Sequence, residues 1–339
     1  TEEFVTSPDD TPPSTPFHAT LQEALTFRRS ILGGARIGDF SAGYGEMVLV
    51  NASGDFDFLP QRFAIDGRRV LVKAGFPDQP YSEFVTVFEG LAADWNINSE
   101  ELRIKLRDPS YRLDVPVQAT IYAGTGDEEG GADLQGKRKP LAYGELLNVE
   151  PPLLIPASLV YHLHDGEIQA VDAVYDSGVP LDFDADYATL GALTGASIAA
   201  GDYATCLDEG FMRLGASPSG QVTVDMRGDA DGGVYVETAA DIVSRIVRRA
   251  TDLTLSDLAS TSFANVNDVQ PASIGFYLGS NDASSVAAVV GALMTSVGGW
   301  GGFQRTGMLE IGIFIAPEAP PVDRVVEEDV IELDRDPLP

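Results

Sequence analysis

LQGKRKPLAYGELLNVEPPLLIPASLVYHLHDGEIQAVDAVYDSGV, Leu134 to Val179, is the stretch whose reading decides the fold. Its apolar residues come in short runs, cut by Gly, Pro and Asp165-Gly166, which is the punctuation of β-strands rather than of long helices. It opens on Lys137-Arg138-Lys139, the only run of three basic residues in the chain, and no Lys or Arg follows between Pro140 and Met212. This pattern predicts a β-rich module with one basic rim and an acidic remainder.

Working outward, the same texture carries on to about residue 230. Val160, Ile168, Val171, Val174 and Val179 are β-branched core candidates. Asp182, Asp184 and Asp186 alternate with Phe183, Ala185 and Tyr187, which places three carboxylates on one strand face. Upstream, GTGDEEGGADLQG (124–136) reads as a loop and a boundary. Before it, Glu46–Val50, Arg69–Ala74, Phe84–Glu89 and Val115–Tyr122 read as strands, and Leu21–Phe27 as a strand or a helical turn. Leu102, Ile104 and Leu106 alternate with Arg103, Lys105 and Arg107, the period-2 signature of a sheet with one wet face.

Downstream the period changes. Thr238 precedes Ile242, Val243, Ile246, Val247 and Arg249 at helical spacing, with Asp241 placed as in a capping box. A second helix begins at Ser284 or Ser285, carries Val286, Val289, Val290, Leu293 and Val297 on one face, and stops at Gly298-Gly299. Gly301 to Ile315 reads as a hairpin turning at Thr306-Gly307. The expected organisation is mainly β with α+β: an extended arm over 1–16, a β-barrel module over 17–125, a second β-barrel module over 134–230, a small α+β domain over 231–316, and an acidic arm over 317–339. Pro8, Pro12, Pro13 and Pro16 keep the first arm out of regular structure in this reading. Tyr44-Gly45-Glu46 and Asp66-Gly67 recur in the same frame as Tyr143-Gly144-Glu145 and Asp165-Gly166, which raises the possibility of a duplicated β module, testable by strand order.

Composition narrows the function classes. The 339 residues hold 52 acids against 22 bases, a formal charge of −30 that repels nucleic acid and anionic membranes and argues against a DNA-binding role for the chain as a whole. A single cysteine, Cys206, excludes a disulfide framework and reads as a small buried hydrophobe. The start of the sequence lacks a basic n-region and an apolar h-region, and the longest apolar run, Val286 to Val297, is too short to span a bilayer. The expectation is a soluble protein made in a cytoplasm.

Chemistry-bearing patterns are sparse. His162 and His164 share a strand face with Asp165 next, and two His and a carboxylate can bind a transition metal, but the only other His is His18 and no Cys lies nearby in sequence, so ordinary surface or turn roles are expected. Asp182-x-Asp184-x-Asp186 starts like a calcium loop, yet Tyr187 and Leu193 occupy the positions that need Gly and Glu. Gly228-Asp229-Ala230-Asp231-Gly232-Gly233 is also acid-rich and could wrap a cation, but reads first as the tight turn before Val234. No nucleophile elbow or phosphate loop occurs. Trp95 and Trp300 read as core or interface. No catalytic residue, cofactor or metal is expected. Lys137, Arg138 and Lys139 are the candidate contact with acidic surfaces of a neighbouring module or copy, with a solvated turn as the alternative.

The segment from Gly136-Lys137-Arg138-Lys139-Pro140 through Tyr143-Gly144, Asn148-Val149, Tyr161 and His164-Asp165-Gly166 resembles tail-tip, or baseplate hub, proteins of siphophages and prophages. Phe88-Glu89-Gly90 resembles a phrase of their first barrel, and Gly232-Gly233-Val234-Tyr235 through Trp300-Gly301-Gly302-Phe303 looks like their later parts. The resemblance implies a structural virion protein at the tail tip: two tail-tube-like barrels per chain, a homotrimeric ring, and a path for phage DNA that passes without specific binding. Its implied partners are the tail tube, distal tail and distal tip or fibre proteins. A hexameric distal tail adaptor, a carbohydrate- or receptor-binding tail module, and a cell-wall hydrolase remain alternatives.

Overall fold

A computed structural model describes residues 3–5, 16–18, 20–28, 44–76 and 79–316. It is mainly β, 37% strand against 24% helix, with several antiparallel sheets, one of them curled to a half-barrel. The acidic segment expected as an arm over 317–339 lies outside the described residues, as does most of the first arm. At the start, β1 (Glu3–Val5) pairs antiparallel with β2 (Pro16–His18), so the ends of the expected extended arm form a two-stranded ribbon.

The first sheet has the order β3-β4-β7-β6-β5, from β3 (Leu21–Arg28), β4 (Tyr44–Val50), β5 (Arg69–Ala74), β6 (Val85–Ile97) and β7 (Glu101–Arg107). The alternation in β7 does what its period requires: Leu102, Ile104 and Leu106 are buried with Phe88 and Ala92, while Lys105 is exposed. The ion pairs Arg103–Glu46 at 2.7 Å and Arg107–Asp66 at 2.9 Å lie on the wet face. A one-turn helix, α1 (Leu59–Arg62), sits between β4 and β5. Strand β6 runs straight through Gly90, where a strand end was expected. A Cβ there would stand 2.5 Å from the Phe88 ring and 2.6 Å from the Arg107 carbonyl, so the glycine lets neighbouring groups close over it.

Val115–Tyr122, expected as a strand, joins no ladder. It makes only isolated bridges, Pro116 to Ser285 and Ile121 to Arg138, because its apolar side chains serve two different cores. Val117 packs among the helices and Tyr122 under the next module.

The second module is two five-stranded sheets packed face to face. One has the order β13-β14-β15-β10-β9, from β9 (Leu153–Ile155), β10 (Val160–His162), β13 (Asp182–Asp186), β14 (Asp202–Cys206) and β15 (Phe211–Leu214). The other has the order β12-β11-β16-β8-β17, from β8 (Leu141–Val149), β11 (Ile168–Asp176), β12 (Val179–Pro180), β16 (Val222–Asp229) and β17 (Gly275–Leu278). Leu146, Leu163, Val174, Met212, Val224 and Met226 fill the space between them. Each such side chain stabilises by about 1.5–3 kcal/mol through burial. On the outer face of the first of these sheets, α2 (Leu190–Gly195) and the loop carrying Tyr122 and Leu134 cover a further core that includes Cys206.

Strand β17 comes from the region read as the α+β domain and pairs in register with β8, Gly275 opposite Gly144 and Leu278 opposite Leu141. Regions 134–230 and 231–316 therefore share one sheet. Helices α3 (Ala239–Ala250), α4 (Ser260–Val269) and α5 (Val286–Ser296), with the hairpin of β18 (Gly299–Phe303) and β19 (Leu309–Ile313), form a single core with Leu141, Tyr143 and Leu278. Thr238 caps α3 by accepting from the Asp241 amide, and Ser285 caps α5 through the Ala288 amide.

Strand order also settles the repeated Tyr-Gly-Glu and Asp-Gly phrases. In the first sheet Asp66-Gly67 leads into β5, an edge strand; in the second module Asp165-Gly166 leads into β11, a central strand paired to β16. The orders differ, so the phrases are not the trace of a duplicated sheet.

Candidate functional site

The histidine pair is the first site-like feature, and the structure places it differently from a surface or turn role. His162 and His164 are 2% and 0% exposed. They lie where β10 and the turn after it meet β8, β16 and α3. Around them stand Tyr122, Tyr143, Asp165, Asp229, Arg245 and Arg249.

Hydrogen bonds fix both tautomers. The Ala142 amide donates to His164 Nδ1 at 2.9 Å, so the ring proton is on Nε2, which faces Asp229 Oδ2 at 3.3 Å. His162 Nε2 donates to the His164 carbonyl at 2.9 Å, leaving Nδ1 to accept from the Tyr122 hydroxyl at 2.6 Å. Three of the four ring nitrogens are hydrogen-bonded inside the protein, and the fourth, His164 Nε2, is enclosed between Asp229 Oδ2 and Arg249 Nη1, each at 3.3 Å. Neither imidazole has a free nitrogen with which to take a proton from a substrate or to ligate a metal.

Burial sets the charges. Desolvation pushes His162 down to about 3 and also lowers His164, against the opposing pull of the Asp229 carboxylate. Both are neutral in the folded chain. The Tyr122 and Tyr143 phenols are raised by burial. Asp165 is itself partly desolvated, which raises it, but the Thr120 hydroxyl and the Arg249 guanidinium outweigh that and hold it low.

Asp229, 0% exposed, is the hub of the cluster. It accepts from Arg245 Nη1, whose other guanidinium nitrogen donates to the Val234 carbonyl at 2.9 Å. Arg249 Nη1 stands 3.6 Å from Asp229 Oδ2, and its Nη2 bonds the Asp165 carbonyl and carboxylate. Two arginines of α3 thus reach into the end of the sandwich and grip β16 and the β10–β11 turn. A cleft of about 340 Å³ opens over them, walled by Glu167, Asp231 and Arg248 as well. This is a clamp between helix and sheet, built from charges that compensate one another.

The basic run Lys137-Arg138-Lys139 is split by the fold. Lys137 is exposed. Arg138 donates to the Gln118 carbonyl at 2.5 Å. Lys139 pairs with Glu129 at 2.9 Å and lies 5.7 Å from the Tyr122 ring centre, and it holds the Glu129 carboxyl low. Lys139 therefore fastens the 124–136 loop, Arg138 fastens the 115–122 segment, and Lys137 is the one presented to solvent.

Elsewhere, Asp182, Asp184 and Asp186 are all exposed on β13, and Asp186 also accepts from the Thr205 hydroxyl at 2.7 Å and the Leu207 amide at 3.1 Å. Among the described residues no cluster of three or more His, Cys, Asp or Glu is arranged to hold a metal ion. Asp229-Ala230-Asp231 is the Arg245-binding segment, a role the sequence reading as a plain turn missed. Burial pushes the Cys206 thiol up to about 12. No helix among the described residues is long and apolar enough to cross a membrane.

The first sheet supplies the most open surface. Both edge strands, β3 and β5, are paired on one side only among the described residues. Apolar side chains crowd this module's surface, with Phe76 70%, Val85 67%, Leu21 58% and Leu71 42% exposed. No family profile matches the chain, and neither does any curated protein.

Proposed function

We propose that this chain is a structural protein of a tailed-phage tail tip, a hub that assembles with copies of itself into a ring linking the tail tube to the distal tip around the DNA path. The observation that carries the proposal is the first sheet: a five-stranded sheet whose two edges are unpaired among the described residues, with a surface of exposed apolar side chains. In an isolated protein such edges invite uncontrolled pairing, and closure by a neighbour removes the hazard. The tail-tip resemblance of the flanking sequence gives that closure a context, two tail-tube-like modules per chain and a homotrimer.

The net charge of −30 fits a wall past which DNA moves, because phosphates meet like charge and gain nothing by adhering. The neutral, buried histidines and the α3 clamp fit a rigid structural part. The proposal is tested by native mass spectrometry and electron microscopy of the purified chain. Closed rings of identical chains that dock on tail-tube ends support it. A chain that stays monomeric and is absent from purified tails overturns it.

A further inference from the structure

The region around α1 carries a patch that stands out on so acidic a protein. Phe58 and Phe63 are 44% and 48% exposed, with ring centres 6.4 Å apart and edge-on. Arg62 lies 5.7 Å from the centre of the Phe58 ring, and Arg68 lies 5.9 Å from that of Phe63. The acids of the same segment are already engaged: Asp57 by the Asn51 amide at 2.8 Å, Asp66 by Arg107 at 2.9 Å, and Asp55 by the Ser53 hydroxyl at 2.5 Å. Neither Arg62 nor Arg68 forms an ion pair among the described residues. Arg68 Nε donates to the Ala64 carbonyl at 2.7 Å, which holds its guanidinium beside the ring without neutralising its charge. Two exposed phenyl rings flanked by two guanidiniums without an ion pair among the described residues have the composition of a protein-interface hot spot.

A complementary surface lies on the same molecule, in the stretch without any Lys or Arg. Among the described residues, strand β13 is the edge of its sheet and pairs only with β14. Asp182 and Asp184 are exposed on one face of it, and neither forms an ion pair among the described residues. Phe183, on the other face, is 55% exposed. Between Pro140 and Met212 the chain has no cation of its own to neutralise them.

We infer that the patch of Phe58, Arg62, Phe63 and Arg68 docks on the β13 edge of a second copy of this chain, with Arg62 and Arg68 facing Asp182 and Asp184. The inference rests on the self-assembly reading and names the surfaces that would make it. The two surfaces differ, so the contact is head-to-tail, the type that closes into rings when the rotation permits. Charge complementarity sets partner and register, and the phenyl rings supply the apolar area.

The test uses the full chain and sedimentation velocity, with circular dichroism melting as the folding control. Reversing one side, by Arg62→Glu with Arg68→Glu or by Asp182→Arg with Asp184→Arg, is expected to weaken self-association at least tenfold without lowering the Tm. Reversing all four in one chain is expected to recover most of it. The neutral pair Arg62→Gln with Arg68→Gln, which adds no repulsion, is expected to weaken association less and serves if the Glu variants fold poorly. Wild-type assembly that survives both one-sided reversals overturns this inference and leaves the hub proposal standing. A wild-type chain that is monomeric at every concentration overturns both. Oligonucleotide binding that is lost with the arginines while assembly is unchanged assigns the patch to nucleic acid and overturns the inference.

Discussion

Replacing Asp229 by Ala is expected to loosen α3 from the sandwich. Asp229 is 0% exposed and Arg245 has a side chain 8% exposed, so the substitution leaves a buried cation without its anion. Removing one partner of such a pair costs about 3–5 kcal/mol. Arg245 keeps two carbonyl acceptors, Val234 at 2.9 Å and Asp231 at 3.3 Å, which places the cost at the lower end, about 3 kcal/mol. That is about a hundredfold rise in the local opening equilibrium. Hydrogen exchange at the amides of α3 and β16 reads it directly. Trp300 fluorescence in a Trp95→Phe background reports the same region, since Trp300 sits on β18 beside the helical core. Adding Arg245→Met removes the stranded cation, so the double variant is expected to be more stable than Asp229→Ala alone. Exchange in α3 unchanged by Asp229→Ala, or a double variant less stable than the single one, would refute the clamp.

The buried histidines set a pH dependence. Their folded values lie below the unfolded one, so the unfolded chain binds more protons as pH falls, and stability present above about 6.5 is lost below it. His162 contributes up to about 1.4 kcal/mol per pH unit between about 6 and 4.5, and His164 adds in the same direction, in a window above that of the lowered Asp165 and Glu129. The charged groups facing the pair are Asp165, Asp229, Lys139, Arg245 and Arg249; urea midpoints that stay flat from pH 7 to 5 would contradict their neutral burial. Gly144→Ala is expected to unfold the β8–β17 junction, because φ is +68° and a Cβ would stand 1.8 Å from the Ile274 carbonyl; near-normal expression and melting would show the junction is not built this way. Cys206 is expected to resist alkylation at neutral pH until the chain unfolds, read by mass spectrometry against urea. Changing Lys137, Arg138 and Lys139 together to Glu is expected to impair ring assembly, while Lys139→Glu alone also lowers the Tm by releasing Glu129. Normal rings from the triple variant would remove Lys137 from the interface.

Where local pattern decides structure, the sequence was legible. The alternation of Leu102, Ile104 and Leu106 set a half-wet strand, Thr238 and Ser285 marked helix starts, and Thr306-Gly307 marked the hairpin turn. Helix α4 was not legible, since Ser260–Val269 is mostly small and polar and buries only Phe263 and Val266. It is held from outside, by Asn267 bridging the Thr238 hydroxyl at 2.7 Å and Asp241 at 3.0 Å. Val115–Tyr122 looked like a strand because its apolar residues alternate with polar ones, yet they divide between two cores. The histidine cluster was out of reach for a different reason. Its partners Arg245 and Arg249 lie more than eighty residues from His164, and only the closure of β8, β16 and α3 brings them together.

The central claim is that this chain works by assembling with itself at a tail tip. Reconstruction of the purified full-length chain by electron cryomicroscopy tests it most directly. The account predicts a closed ring, three copies as the resemblance implies, with the open edges of the first sheet covered by neighbouring chain. A monodisperse monomer with those edges facing solvent would contradict it.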